Sequence, residues 1–187
     1  MSDDLPNRQT IRLPGYDYSG NGYYFVTICA QNMENLFGEI VNGKMVLNDV
    51  GKIVEHWVME ITKKFPNAKI DIHQVMPNHT HITIIIVGAG YSRPTKTPVK
   101  LPTLGQIIAY FKYQTTIAIN NYFIESGAKT APLQNRTGGN TQPLRFKKIF
   151  QRNYYEHIIR NEDELNHIRE YIINNPLDWE KDEYNET

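Results

Sequence analysis

Two histidines one residue apart are the first side chains in this sequence that could do chemistry. His79 and His81 stand in the stretch "VMPNHTHITIIIV", whose β-branched residues are typical of a buried strand. Because side chains alternate along a strand, both imidazoles point to one face and Thr80 to the other. Two imidazole nitrogens a few ångströms apart on an open face suit a divalent metal ion. The pair alone is equally consistent with two surface histidines on a half-exposed strand.

Other uses of paired histidines fit this sequence less well. Nucleotide hydrolases of the histidine-triad type need a third histidine where this chain has Thr83. The tripeptide His81–Thr83 matches the element of two-histidine phosphoesterases, but the sequence has no second copy of it. A structural zinc site would need cysteines or a further histidine as ligands. His73, on the preceding predicted strand, could serve, although nothing singles it out.

A tyrosine and an asparagine four residues apart form a second group. Tyr171 and Asn175 lie on one face of a helix predicted over 161–175. Asn161 and Glu164 have the capping-box spacing at its start. Taken alone, Tyr171 is equally explained as a residue at the margin of an amphipathic helix, and Asn175 as a C-terminal cap.

The elements that must position these residues alternate between strands and helices. Before the 161–175 helix, the pattern predicts a strand over 22–31, a hairpin over 36–48, a helix over 50–65, strands over 68–76 and 79–87, a helix over 104–123 and a basic strand over 145–159. Glycine, proline and polar residues predict loops at 88–103 and 126–143. This order predicts an α+β fold, an antiparallel β-sheet with helices packed on one face.

Charge is distributed unevenly along the 187 residues. Lys and Arg equal Asp and Glu at 20 each, yet residues 93–152 carry a net charge of +9 and residues 153–187 a net charge of −7. A strongly basic middle favours a polyanionic partner such as nucleic acid. The sequence lacks a long apolar run and a signal-peptide pattern, so we expect no membrane association and a cytoplasmic location, which the lone Cys29 also fits.

Taken together, the motifs resemble those of the single-tyrosine HUH transposases. The stretches "MPNHTHITII", "QRNYYEHIIRNEDELNHIREYIINNP" and "IRLPGYDYSGNGYYFVTICAQN" are similar in order and spacing to those of REP-associated tyrosine transposases, which resemble insertion-sequence 200-like enzymes. The resemblance covers about residues 11–179. It implies a single domain over 1–187 with an N-terminal arm at 1–20, and a ferredoxin- or RRM-like sheet followed by the C-terminal helix that carries the tyrosine.

The resemblance also implies a role for each candidate residue. His79 and His81 match the histidines of the HUH motif, with Thr80 where the family expects a bulky hydrophobic residue. Tyr171 matches the nucleophile and Asn175 the third metal ligand. The implied activity is that of a transposase that cleaves and rejoins single-stranded DNA near hairpins through a 5′-phosphotyrosine, with Mg²⁺ or Mn²⁺ as cofactor.

Basic and aromatic side chains are candidates for contacts with DNA phosphates and bases. They are Arg145, Lys147, Lys148, Arg152, Lys112 and Tyr113. Tyr154 and Tyr155 are alternative nucleophiles, but a strand position suits a helix-borne tyrosine mechanism poorly.

Two other functions and the oligomeric state stay open. A protein that binds DNA or RNA hairpins without cleaving them would use the same sheet and basic residues. A metal-dependent phosphodiesterase would use water as its nucleophile. Insertion-sequence enzymes pair, whereas some REP-associated members act alone, so the resemblance leaves a homodimer open.

Overall fold

The computed structural model describes residues 15, 17–18, 20–88, 101–127 and 147–185. Most of the predicted N-terminal arm, most of the two predicted loops, and Arg145 lie outside these residues. The strands are β1 (Gly22–Cys29), β2 (Gly38–Val41), β3 (Lys44–Leu47), β4 (Ala68–Val75), β5 (His79–Ile86) and β6 (Tyr155–Ile159), and the helices are α1 (Asp49–Lys64), α2 (Leu104–Glu125) and α3 (Glu162–Asn174). None of the described helices is both long and apolar enough to cross a membrane.

Four strands form an antiparallel sheet in the order β4-β5-β1-β6. Along β1, Thr27 lies opposite His81 on one side and opposite Tyr155 on the other. Among the described strands, β2 and β3 pair with each other in a separate two-stranded sheet. Their turn places Asn42 and Gly43 at φ of 51° and 71°, the backbone that an Asn-Gly hairpin turn requires. The predicted hairpin is therefore confirmed.

The two faces of the sheet are covered by different helices. Helices α1 and α2 pack on the face that carries Val26 and Ile82, and this contact forms the main core. Helix α3 packs on the opposite face, where Ile172 and Phe25 belong to a smaller apolar cluster. Ile172 is fully buried, and burial of such a side chain contributes about 1.5–3 kcal/mol. The predicted α+β class is confirmed, with the tyrosine helix on the face that also carries His81.

The basic segment predicted as one strand over 145–159 is a strand only from Tyr155 onward. The described part before it, 147–154, is irregular apart from one isolated bridge. The ammonium of Lys112 donates to three carbonyl oxygens there at 2.6, 3.0 and 3.4 Å, those of Gln151, Arg152 and Asn153. A side chain thus satisfies carbonyls that a strand would offer to its neighbour. The prediction of one continuous strand over 145–159 is therefore wrong, because the chain is interrupted at 151–153 after the isolated bridge of Phe150.

A bidentate ion pair attaches α3 to the edge of the sheet. Nε and Nη2 of Arg169 donate to the two carboxylate oxygens of Asp71 at 2.8 and 2.7 Å. Asp71 lies where the register of β4 against β5 shifts, between Ile70 and Ile72. Such an irregularity in an edge strand redirects a side chain. Here the register shift accompanies the two-point contact between Arg169 and Asp71, which fixes the position of α3 over the sheet.

The start of α3 is capped as predicted and is also tied to β6. Oδ1 of Asn161 accepts a hydrogen bond from the backbone nitrogen of Glu164 at 2.8 Å. The Glu164 carboxylate accepts from Nε2 of His157 at 2.6 Å and from the backbone nitrogen of Arg160 at 2.7 Å. Together with the Arg169 pair, these contacts define where the rest of α3 lies over the sheet.

Candidate metal centre and nucleophile

His79 and His81 lie side by side on β5 with their rings facing one another. Their Nε2 atoms are 2.9 Å apart, and neither residue is exposed to solvent. Two nitrogens bound to one octahedral ion at about 2.1 Å would lie about 3.0 Å from each other. The alternative of two surface histidines is therefore wrong, and the spacing suits a shared divalent ion.

The second nitrogen of each ring contacts a buried polar side chain. Nδ1 of His79 lies 2.8 Å from Oδ1 of Asn78, and Nδ1 of His81 lies 2.9 Å from Oγ1 of Thr27. Hydrogen bonds to the far nitrogen are what orient metal-ligating imidazoles in proteins. The sequence did not single out either partner. Asn78 adjoins the motif, but its position after Pro77 predicts a turn residue. Thr27 lies on β1, 54 residues before His81.

Tyr171 places its phenol against the same pair. Its Oη lies 3.3 Å from Nε2 of His81, and the two ring centroids are 5.2 Å apart. Phe25 supports both rings, edge-on against Tyr171 at 6.1 Å and stacked on His81 at 5.3 Å. Tyr171 is nevertheless 42% exposed. The phenol is thus held beside the histidines and open to solvent on its other side.

The two tyrosines weighed as alternative nucleophiles lie elsewhere. Tyr154 packs against the main core. Tyr155 is exposed on the face of the sheet that carries the histidines, with its ring 6.3 Å from that of Phe25. In the sheet it is separated from His81 by β1. Among the described tyrosines at this face, Tyr171 is the one with its hydroxyl at a histidine nitrogen.

Asp182 completes a group of three metal-ligating side chains. One ligand atom each from His79, His81 and Asp182 lies within 4.8 Å of the others. No pattern in the sequence marks Asp182, because the acidic run "DWEKDEYNE" is typical of a solvated surface. Only the path of the chain after α3 brings this carboxylate to the histidines.

Asn175 lies beside this group, in contact with its carboxylate. Its amide nitrogen donates to Oδ2 of Asp182 at 2.5 Å. Its Oδ1 is buried and has no hydrogen-bond partner among the described residues. An unpaired buried oxygen is costly, and a cation would satisfy it. Two imidazoles, a carboxylate and an amide oxygen form a donor set that fits Mn²⁺ and, through the oxygens, Mg²⁺. The role of Asn175 as a ligand stays a prediction.

Residues 179–185 cover the histidine pair. The ring of Tyr184 lies 4.7 Å from that of His79, and the ring of Trp179 lies 6.1 Å from it. Nδ2 of Asn78 donates to the carbonyl oxygen of Tyr184 at 2.7 Å. The expectation of an open histidine face is therefore wrong, because this C-terminal segment lies across it.

Burial determines the protonation of the site. It lowers the pKa of His79 to about 3, and burial together with the neighbouring His79 holds the pKa of His81 well below its ordinary value. Both rings are neutral near pH 7, which is the metal-binding form. Burial, with the carboxylate of Asp182, raises the pKa of Tyr171 above that of a free phenol. A nearby cation would oppose that rise.

The predicted DNA-contacting residues lie in different environments. Three are exposed to solvent: Tyr113, Lys148 and Arg152. Lys147 pairs with Glu34 at 3.1 Å. Lys112 is engaged with the three carbonyls described above, and burial lowers its pKa to about 8. Arg145 lies outside the described residues. Their contacts with DNA stay predictions.

No family profile matches the chain, but comparison with solved structures finds similar chains. A REP-associated tyrosine transposase bound to a REP hairpin gives a TM-score of 0.53 at 19% identity, over 88% of this chain and 72% of that one. A Deinococcus radiodurans R1 protein described as a candidate transposase gives 0.45 at 13% identity, over 88% and 97%. The first likeness shows that this chain shares the fold of that REP-associated tyrosine transposase.

Within that fold, the chain belongs to the same family as a protein of Haemophilus influenzae that is described as uncharacterized. The two are 37% identical over 189 residues, a match that covers 96% of this chain and 93% of the relative. Because the description of the relative states no activity, the function has to be argued from the site.

Proposed function

We propose that this chain is a metal-dependent transposase that cleaves and rejoins single-stranded DNA next to hairpins, with Tyr171 as the nucleophile. One observation carries the proposal: the Tyr171 hydroxyl lies 3.3 Å from Nε2 of His81, within a group of metal-ligating side chains. A phenol beside such a group is what a phosphotyrosine mechanism requires. The hairpin bound to the transposase of similar fold supports a DNA hairpin as the substrate.

The residues that would hold the metal ion are those around the histidine pair. His79 and His81 would bind it through their Nε2 atoms, and Asp182 and the amide oxygen of Asn175 would supply oxygens. When bound, Mg²⁺ or Mn²⁺ provides a Lewis acid that polarises the scissile phosphate and compensates the negative charge of the phenolate.

Tyr171 supplies the attacking oxygen. Its phenol gives up a proton to solvent, and the oxygen forms a bond to phosphorus while the bond between phosphorus and the 3′ oxygen breaks and that oxygen takes up a proton. The products are a 5′-phosphotyrosine and a strand with a free 3′-OH. The covalent link conserves the energy of the phosphodiester, so another 3′-OH can attack it and rejoin the DNA without ATP. Phe25, against both rings, keeps the phenol aligned with His81 during these steps.

The burial of the histidine pair favours a second candidate function. A phosphate reaches His79 and His81 only if residues 179–185 move, because both histidines are fully buried under that segment. A protein that binds DNA hairpins without cleaving them needs no such access. This candidate predicts binding that weakens with salt, is indifferent to EDTA and forms no covalent product.

A covalent-adduct assay tests the proposal. The chain is incubated with a labelled single strand that contains a hairpin, with Mn²⁺ or Mg²⁺, and the products are separated under denaturing conditions and analysed by mass spectrometry. We expect an adduct that requires the metal, persists in Tyr155→Phe and is lost in Tyr171→Phe. An adduct in Tyr171→Phe contradicts the nucleophile assignment. Binding without an adduct supports the second candidate, and turnover without an adduct indicates water as the nucleophile.

A further inference from the structure

The orientation of the Asn78 side chain is fixed by the hydrogen bonds of its amide nitrogen. Nδ2 donates to the carbonyl oxygens of Tyr184 and Met33 at 2.7 and 3.3 Å. Because both partners can only accept, Oδ1 is the atom that faces Nδ1 of His79, at 2.8 Å. An amide oxygen cannot donate, so His79 carries a proton on Nδ1. A neutral His79 therefore has its lone pair on Nε2.

Thr27, the partner of His81, does not determine the tautomer of that ring. Oγ1 of Thr27 lies 2.9 Å from Nδ1 of His81, and a hydroxyl can donate to that nitrogen or accept from it. Thr27 is buried, 1% exposed, so water does not substitute for this hydroxyl.

We infer that Asn78 and Thr27 are positioning residues with different tasks: Asn78 presets His79 for metal binding, and Thr27 lets His81 change tautomer when the ion binds. Two lone pairs facing each other across the 2.9 Å between the Nε2 atoms would repel, so without an ion His81 donates from Nε2. With an ion on both Nε2 atoms, the same proton is carried on Nδ1 and donated to Thr27. This inference rests on the proposed metal centre.

The tautomers can be observed directly in the intact protein. Long-range ¹H–¹⁵N spectra of the imidazoles are recorded in EDTA and again with Zn²⁺ as a diamagnetic probe, and His79→Gln and His81→Gln assign the signals. We expect His79 to be protonated on Nδ1 in both samples, and His81 to change from Nε2–H to Nδ1–H when Zn²⁺ is added. A proton on Nε2 of His79 in EDTA, or an unchanged His81, overturns the inference.

Substitutions of Thr27 test the same point through affinity. Titration calorimetry with Mn²⁺ alone should give an affinity at least about tenfold weaker in Thr27→Val, since loss of an outer-shell partner costs about 10–100-fold. Thr27→Ser restores the hydroxyl and should bind as the wild type does. Thr83→Val is the matched control: Thr83 is fully buried two residues beyond His81, and its hydroxyl has no partner among the described residues. Wild-type affinity in Thr27→Val, or equal weakness in Thr27→Ser, contradicts the inference.

The outcomes separate this inference from the proposed function. If Mn²⁺ binds and the His81 tautomer changes, but no DNA adduct forms, the proposed cleavage fails and the inference stands. If the wild-type chain forms a metal-dependent adduct while its His81 keeps one tautomer, the inference fails and the proposed function stands. If neither Zn²⁺ nor Mn²⁺ binds the wild-type chain, both fail. Near-ultraviolet circular dichroism confirms that each variant is folded.

Discussion

The phenol oxygen of Tyr171 and Nε2 of His81 lie 3.3 Å apart, although 90 positions separate the two residues in the chain. Strand β5 fixes the imidazole, and α3 returns from the far end of the chain to place the phenol over it. The contacts that hold α3 on the sheet therefore matter as much to the site as the residues within it.

The first prediction concerns the contact between α3 and the edge of the sheet. Arg169→Met removes the two-point contact with Asp71, in which the Arg169 side chain is 34% and the Asp71 side chain 15% exposed. We expect a small, measurable loss in the free energy of unfolding, because the pair is partly exposed but its geometry is bidentate. We also expect a slower rate of adduct formation, because Tyr171 lies two residues farther along the same helix.

The matched control is a single-contact pair on the surface. Lys52→Met removes the ion pair with Asp49, in which the side chains are 65% and 61% exposed. We expect no measurable change in either quantity. Urea denaturation and single-turnover adduct assays measure both variants. Equal adduct rates in Arg169→Met and the wild type would show that the ion pair does not position the tyrosine.

The second prediction concerns Asp182. Asp182→Asn keeps the size of the side chain but replaces a carboxylate whose ligand atom lies within 4.8 Å of the histidine nitrogens. We expect the affinity for Mn²⁺, measured by calorimetry without DNA, to fall at least about tenfold. Loss of a side chain that only orients a metal ligand already costs about 10–100-fold, and loss of a ligand should cost no less. Glu183→Gln, which neutralises the adjacent acid, is the control and should bind Mn²⁺ nearly as the wild type does. Similar losses in both variants would indicate a general effect of charge rather than ligation by Asp182.

The local elements were predictable because their signals are local. The Asn42-Gly43 turn, the cap at Asn161 and the apolar periodicity of α1 and α2 each depend on residues within a few positions of one another. The order of the strands and the side of the sheet on which α3 packs depend on contacts between distant segments. The overlong strand prediction before Tyr155 failed for a related reason, because Lys112 satisfies the carbonyls from another element.

The residues of the candidate site also fall into two groups, those with a local sequence signal and those without one. Short spacings marked two pairs, His79 with His81 and Tyr171 with Asn175, and the resemblance to the single-tyrosine HUH transposases joined them into one predicted site. Thr27, Asn78 and Asp182 carry no such spacing, and each acquires its place only through the folded chain. A polar residue whose role is to orient a neighbour cannot be distinguished, in sequence, from one that serves a turn or a solvated surface.

The third prediction separates two interpretations of Lys112: that it contacts DNA, and that it stabilises the fold by donating hydrogen bonds to backbone carbonyls. Lys112→Met leaves the carbonyls of Gln151, Arg152 and Asn153 without their donor. We expect a loss of about 0.5–1.5 kcal/mol in the free energy of unfolding, the usual net contribution of a hydrogen bond, because the bond to Gln151 is part-buried whereas those to Arg152 and Asn153 are exposed. Lys148→Met, an exposed lysine on the adjoining segment, should leave stability unchanged. Weaker binding of a DNA hairpin by Lys112→Met with full stability would instead support the direct DNA contact that the sequence predicted.

The fourth prediction concerns acid stability in EDTA. The pKa values of His79 and His81 are lowered in the folded chain, that of His79 to about 3, from an ordinary value of 6.5. The unfolded chain therefore binds more protons below about pH 6.5, and stability must fall as the pH decreases through that value. Each histidine that stays neutral contributes about 1.4 kcal/mol per pH unit over about pH 6 to 5. Urea denaturation at several pH values measures the slope, which should be smaller in the His79→Gln/His81→Gln double variant. An unchanged slope in that variant would mean that the buried pair does not control the acid sensitivity of the fold.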